Sequence, residues 1–237
     1  FRDKETGLPC SGYDLWEERY GVHTFTVSAV IAGLKAAANF AKLFHDFQLE
    51  AEYLQVAGRM RQGLIKHLYH DGLKRYARSG YRNESGYDLD EVIDVSLLGL
   101  IIFEVLSPDD PRMVQTAAAI SEELWLKTDI EGCARYKNDY YQRSSDIPTE
   151  IVGNPWFIST LWLGEYYIFR AKNLDELHKA VPYLLWVAKN ALPSGVLAEQ
   201  VHPINGEPLS VSPLTWSHSA FVWTVLLYAE KYELLKN

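Results

Sequence analysis

The sequence predicts an all-α protein arranged as a two-layer helical toroid, and three observations lead there. Seven stretches space their apolar residues at helical intervals, and no alternating run of strand type dominates anywhere. The helical stretches alternate between apolar all round and apolar on one face only. No low-complexity tract or linker interrupts them, so residues 1–237 read as a single domain.

The elements are expected, in order, at 23–45, 49–69, 91–105, 110–126, 154–170, 174–189 and 214–234. The first mixes Phe25, Val27, Val30, Ile31 and Leu34 with small alanines. The second sets Tyr53, Ala57, Met60, Leu64 and Leu68 in one stripe, with Glu52, Arg59, Arg61 and Lys66 off it. Between 69 and 88, Asp71-Gly72 and Ser85-Gly86 predict one small hairpin. The third helix is apolar on nearly every side apart from Asp94 and Glu104. The fourth returns to a single stripe of Met113, Ala117, Ile120 and Leu124. Phe157, Ile158, Leu161, Trp162 and Phe169 surround the fifth. Leu174, Leu177, Val181, Leu184 and Ala188 stripe the sixth, and Phe221 to Leu227 wrap the seventh. A helix apolar all round is enclosed by others, whereas a plain up-down bundle makes every helix amphipathic. An inner-then-outer order follows, and the loops entering the inner helices emerge on one rim.

Composition narrows the function. Lys and Arg total 23 against 31 Asp and Glu, a net charge of -8, which argues against nucleic acid or an anionic membrane as partner. The most strongly apolar stretches, such as Val95–Phe103, are shorter than a bilayer crossing requires. Cys10 and Cys133 make neither a disulfide framework nor a zinc spacing and are expected as free thiols. His67, His70 and Asp71 read as a helix-end contact and not as a metal site, and no cofactor is called for. The sequence opens on Phe1 and not Met, so a preceding segment is expected; the compartment stays open, with a prokaryotic cytoplasm favoured.

Seven Trp and 15 Tyr are many for 237 residues, and they gather with carboxylates in the rim loops. Asp14-Leu15-Trp16-Glu17-Glu18 precedes the first helix. Arg135-Tyr136, Asp139, Tyr141 and Gly153-Asn154-Pro155-Trp156 precede the fifth. Ala198-Glu199-Gln200 and Leu214-Thr215-Trp216-Ser217 precede the seventh. Aromatic faces pack on the C–H side of a sugar ring while carboxylates and Arg bind its hydroxyls. Glycoside hydrolysis uses two carboxylates, one protonating the leaving oxygen and one activating water or attacking directly.

Gly12 to Glu18 with His23-Thr24-Phe25-Thr26 resembles the catalytic-acid region of glycoside hydrolase family 15, the glucoamylase and glucodextranase family. Arg135-Tyr136, Asp139, Tyr141 and Gly153 to Phe157 are similar to its substrate loop. Ala198-Glu199-Gln200 and Leu214 to Ser217 are similar to its base region. The resemblance implies an (α/α)6 barrel of which about seven of twelve helices are present. It implies Glu17 as general acid and Glu199 as the base that activates water with inversion. Asp14, Glu18, Arg135 and Tyr136 would serve the sugar's hydroxyls, Asp139 would pair with Arg135 or bind a hydroxyl, and Trp16, Trp156 and Trp216 would be packing or stacking surfaces. An inverting pair should stand roughly 6.5–9.5 Å apart, and the acid should be buried beside Glu18 and Asp14 to raise its pKa. The implied substrate is the non-reducing end of an α-glucan or malto- or isomalto-oligosaccharide, with the missing N-terminal part of the polypeptide as partner. A trehalase and a catalytically silent glucan-binding module are the alternatives. A partial toroid should also expose apolar inner-helix surface.

Overall fold

The computed structural model describes residues 2–236. The chain is mostly helical, with three short antiparallel sheets. It divides into two compact units: the chain up to Val92 together with Gly99–Thr116, and Ile93–Leu98 together with the chain from Ala117 on.

In the first unit, α1 (Thr24–Leu43) and α2 (Phe47–Leu68) pack as an antiparallel pair. His45, in left-handed backbone (φ 61°), ends the first helix, and the Asp46 carboxylate caps the second by accepting from Leu49 N at 3.0 Å. The stripe predicted for α2 is buried at Ala57, Met60, Leu64 and Leu68, while Tyr53 at its start is half-buried. By length and composition α1 could cross a bilayer. Here it packs one face on α2 and leaves Phe40 and Leu43 exposed, so the helix expected to be enclosed is buried on one side only; Lys35 donates to Glu104 O.

A four-stranded sheet in the order β1 (Gly12–Tyr13), β2 (Tyr20–His23), β5 (Ser79–Arg82), β6 (Tyr87–Asp90) lies at the start of α1. Thr24, the first residue of α1, ties helix to sheet by donating to Ala77 O at 2.6 Å. Between them β3 (Tyr69–His70) and β4 (Arg75–Tyr76) form a second hairpin, so 69–90 holds two hairpins where one was expected. His70 belongs to that turn. It accepts from Leu73 N through Nδ1, and its Nε2 lies 3.1 Å from Glu91.

The helix expected at 91–105 is far shorter, a 3₁₀ turn at Val95–Leu98 running into α3 (Gly99–Ile102). Backbone pairing of 93–95 with 135–137 holds its start extended, and Asp94 turns the chain by accepting from Ser96 N. At its end Glu104 is left-handed (φ 51°) and Val105 and Leu106 bond back to Leu100 O. Helix α4 (Pro111–Leu124) keeps its stripe, with Met113, Ala117, Ile120 and Leu124 all buried.

In the second unit α5 (Phe157–Arg170) is enclosed as expected, with eleven buried residues. The helix expected at 174–189 is broken into α6 (Leu174–Leu177), a 3₁₀ turn (His178–Ala180) and α7 (Val181–Asn190). Pro182 lacks an N–H and its ring crowds the preceding turn. The break changes the helical phase, so Trp186 and Val187 are buried in α7 and Ala188 is exposed. A two-stranded sheet of β7 (Gln200–Val201) and β8 (Pro208–Leu209) precedes α8 (Thr215–Lys236). That last helix is not enclosed. It buries Ser217, Ala220 and Thr224, and exposes Val222, Trp223 and Leu226, each by more than half.

The α5–α8 contact holds a titratable group in the core. Glu165 is buried and one of its oxygens has no hydrogen-bond partner among the described residues. Thr224 Oγ1 lies 2.8 Å from both Glu165 Oε1 and Ala220 O, and its single hydrogen can serve only one of them. A protonated Glu165 that donates to Thr224 satisfies both contacts. Burial pushes its carboxyl up to about 7, in agreement. The folded state then holds a proton that the unfolded state releases near pH 4.5, so this group's stabilisation is full below that pH and is lost as pH rises towards 7. At about 1.4 kcal/mol per pKa unit, the loss is on the order of 3 kcal/mol. Denaturant unfolding measured from pH 4.5 to 7.5 should show a shallower decline in Glu165→Gln than in the parent; identical slopes would contradict a protonated Glu165.

Candidate active site

In the first unit the acid-region residues form the turn of the β1–β2 hairpin. Asp14 organises it: its Oδ1 accepts from Glu18 N at 2.7 Å and Arg19 N at 3.2 Å, and its carbonyl accepts from Glu17 N. Arg19 Nη1 bonds Glu18 at 2.7 Å and lies 3.6 Å from Asp14. The turn thus presents two carboxylates that share one guanidinium, and a third, Glu17, at its tip. Glu17 sits in left-handed backbone (φ 59°) and is exposed, so the burial expected for it is not found. The reason is local: Asp14 takes the inward amides, and the turn projects residue 17 outward. Trp16 is half-buried. Behind the hairpin His23 is buried with Nε2 3.1 Å from Gly12 O, and burial lowers its pKa.

In the second unit the substrate-loop and base-loop residues converge. Arg135 is 3% exposed and forms a bidentate pair with Asp139, Nε to Oδ2 and Nη2 to Oδ1, both at 2.8 Å. Its guanidinium carbon lies 4.8 Å from the centre of the Tyr136 ring, 5.1 Å from Tyr141 and 4.9 Å from Trp156. Trp156 therefore packs on Arg135. Trp216 is half-buried and meets Trp162 edge-on at 5.9 Å.

The backbone explains why these side chains meet. Residue pairs Asp94–Tyr136, Trp125–Cys133, Ala134–Pro155 and Trp156–Gln200 form isolated β-bridges, a short ladder of loops across the start of α5. Phe157 N donates to Glu199 O and Val201 N to Pro155 O, placing the half-buried Glu199 beside the Trp156 segment. Glu199 Oε2 accepts from Gln200 Nε2 at 3.2 Å, and Gln200 Oε1 in turn accepts from Asn154 Nδ2 at 2.7 Å. On the other side Ser217 donates to Ala198 O, and His218 Nε2 accepts from Leu197 N, so α8 holds the loop carrying Glu199 by its first turn.

Asn154, Gln200 and His218 were not singled out from the sequence. The first two lay inside quoted motifs, and only the tertiary contact reveals that their amides join one loop to the other. Cys10 is exposed and Cys133 buried, both free, and burial pushes the Cys133 thiol up and leaves it inert.

The sequence pattern of the glycosyl hydrolases family 15 matches residues 8–226. The chain belongs to glycosyl hydrolase family 15. An uncharacterized glycosyl hydrolase of Methanocaldococcus jannaschii is 34% identical to this family-15 chain over 224 residues, covering 90% of it. A glucoamylase of a Clostridium species is 30% identical over 239 residues, again covering 90%. The chain spans about a third of the length of both relatives (33% each). A bacterial glucoamylase solved in complex with acarbose superposes with a TM-score of 0.79 at 27% identity, over 94% of this chain and 36% of that one. The helical fold matches part of that structure's fold.

Breaking the Arg135–Asp139 pair should be costly, because either partner alone is a buried uncompensated charge, at about 3–5 kcal/mol. Asp139→Ala should lower unfolding stability by that amount, whereas a loss under about 1 kcal/mol would show that the pair is not the clamp of this loop.

Proposed function

We propose that this family-15 chain carries the acid and base of an exo-acting, inverting α-glucoside hydrolase of the glucoamylase type. Glu17 protonates the glycosidic oxygen. Glu199 takes a proton from water as that water attacks the anomeric carbon, and β-D-glucose leaves. The observation that carries the reading is the convergence in the second unit, where a carboxylate is held by an amide chain beside a buried Arg–aromatic cluster. Gln200 donates to the Glu199 carboxylate and so fixes its orientation beside the Trp156 segment. For Glu17 the exposed position is consistent with an acid that loses its water when sugar covers it, and Glu18 and Asp14 beside Arg19 would receive hydroxyls. Asp139 is engaged by Arg135, so in this reading it positions the guanidinium and the sugar meets the cluster's rim.

The substrates proposed are the non-reducing ends of α-glucans and malto- or isomalto-oligosaccharides. The similarity to the Clostridium glucoamylase supports the glucosyl choice. The (α/α)6 toroid belongs to the same proposal, completed by the N-terminal part of the polypeptide. The exposed apolar face of α8 supports it. On this reading the 237-residue chain by itself releases no glucose from maltose.

In the full-length protein, Glu17→Gln and Glu199→Gln should each lower kcat by about 10²- to 10⁴-fold, with KM within a few-fold. Assays with maltose, isomaltose and trehalose would assign the linkage. Turnover that persists at the parental rate in either variant would remove that residue from its role.

A further inference from the structure

A cleft of about 340 Å³ opens in the second unit between the C-terminal end of α4 and residues 150–152. That volume lies in the range of small-ligand sites. One part of its lining is apolar, from Trp125, Ile151 and Val152. The other carries Glu122, Glu150, Lys127 and Thr128. Thr128 Oγ1 is buried and has no hydrogen-bond partner among the described residues, an unmet donor and acceptor in the lining. The walls are held from behind. Trp125 bridges Cys133 through its backbone and packs edge-on against Tyr183 at 5.3 Å, and Leu126 N donates to Gly132 O. Val152 O accepts from Asn138 N at 2.9 Å and Asp139 N at 3.2 Å. None of the residues assigned to the proposed reaction lines the cleft.

We propose that this cleft binds an uncharged pyranose, a second sugar site separate from the residues of the proposed hydrolysis. The lining selects that chemistry by elimination. Glu122 and Glu150, with Glu123 already paired to Lys137 at 2.9 Å, oppose a phosphate or carboxylate ligand. A purely apolar ligand would strip water from those carboxylates and leave the Thr128 hydroxyl unmet. A sugar ring offers an apolar C–H face to the indole and valine side, and hydroxyls that donate to carboxylates and exchange hydrogen bonds with Thr128 and Lys127. The proposal does not depend on turnover, so it can fail while the hydrolase reading stands, and the reverse.

The test is calorimetric titration of maltose into the full-length protein carrying Glu199→Gln, which prevents consumption of the ligand. Adding Trp125→Ala, Glu150→Ala or Thr128→Val should each weaken one saturable binding class at least fivefold and leave any other class unchanged. Thr128→Val is nearly isosteric and Glu150 is exposed, so thermal melting should remain within about 2 °C of the parent in those two. An isotherm unaltered by all three substitutions would overturn the site. Glucosamine binding through these residues tenfold or more tighter than maltose would overturn the assignment to an uncharged ring.

Discussion

The buried guanidinium of Arg135 is the constraint on which the second unit's loop architecture depends. A charge at 3% exposure is sustainable only if its fork is matched, and Asp139 four residues later matches it with two 2.8 Å bonds. The remaining surface of the group is covered by Tyr136, Tyr141 and Trp156, which fixes where three separate stretches of loop must lie. With Trp156 placed, the bridge to Gln200 and the amide chain from Asn154 set the loop before β7, and Glu199 follows from that setting. A loop with no regular structure of its own is thus held by one ion pair and a ladder of single bridges.

The β1–β2 turn is built differently. There the organiser is Asp14, a side chain that substitutes for backbone partners in a turn closing a single two-pair ladder, and the strain of left-handed backbone falls on Glu17. Non-glycine residues in that region cost about 1 kcal/mol or more and are kept where the surroundings determine them. A glutamate at such a position, projected outward by a satisfied turn, has few neighbours to support it and ample room for a ligand.

Legibility in the sequence followed the range of the forces involved. Helices α2 and α4 were plain because their stripes answer to a single buried face, and α5 because eleven of its residues are enclosed. The strands were not, since Gly12–Tyr13 and Gln200–Val201 are too short for any alternation to register. The 91–105 stretch read as one helix because apolar content says nothing of the backbone bonds that residues 93–95 make to 135–137. Pro182 was visible, yet its effect on phase, burying Trp186 in place of Ala188, needed the packed neighbour. At the site, Arg135, Asp139 and Trp156 were marked by type and by the family resemblance. The roles of Asn154, Gln200 and His218 arise only from contacts between distant loops.

An inverting hydrolase fixes the anomer of the glucose that it releases. Proton NMR of the first glucose released from maltotriose by the full-length protein, recorded before mutarotation, should show the β-anomeric signal growing ahead of the α. An initial α-anomer would mean that the second carboxylate attacks the sugar itself, and the assignment of Glu199 as a water-activating base would be contradicted.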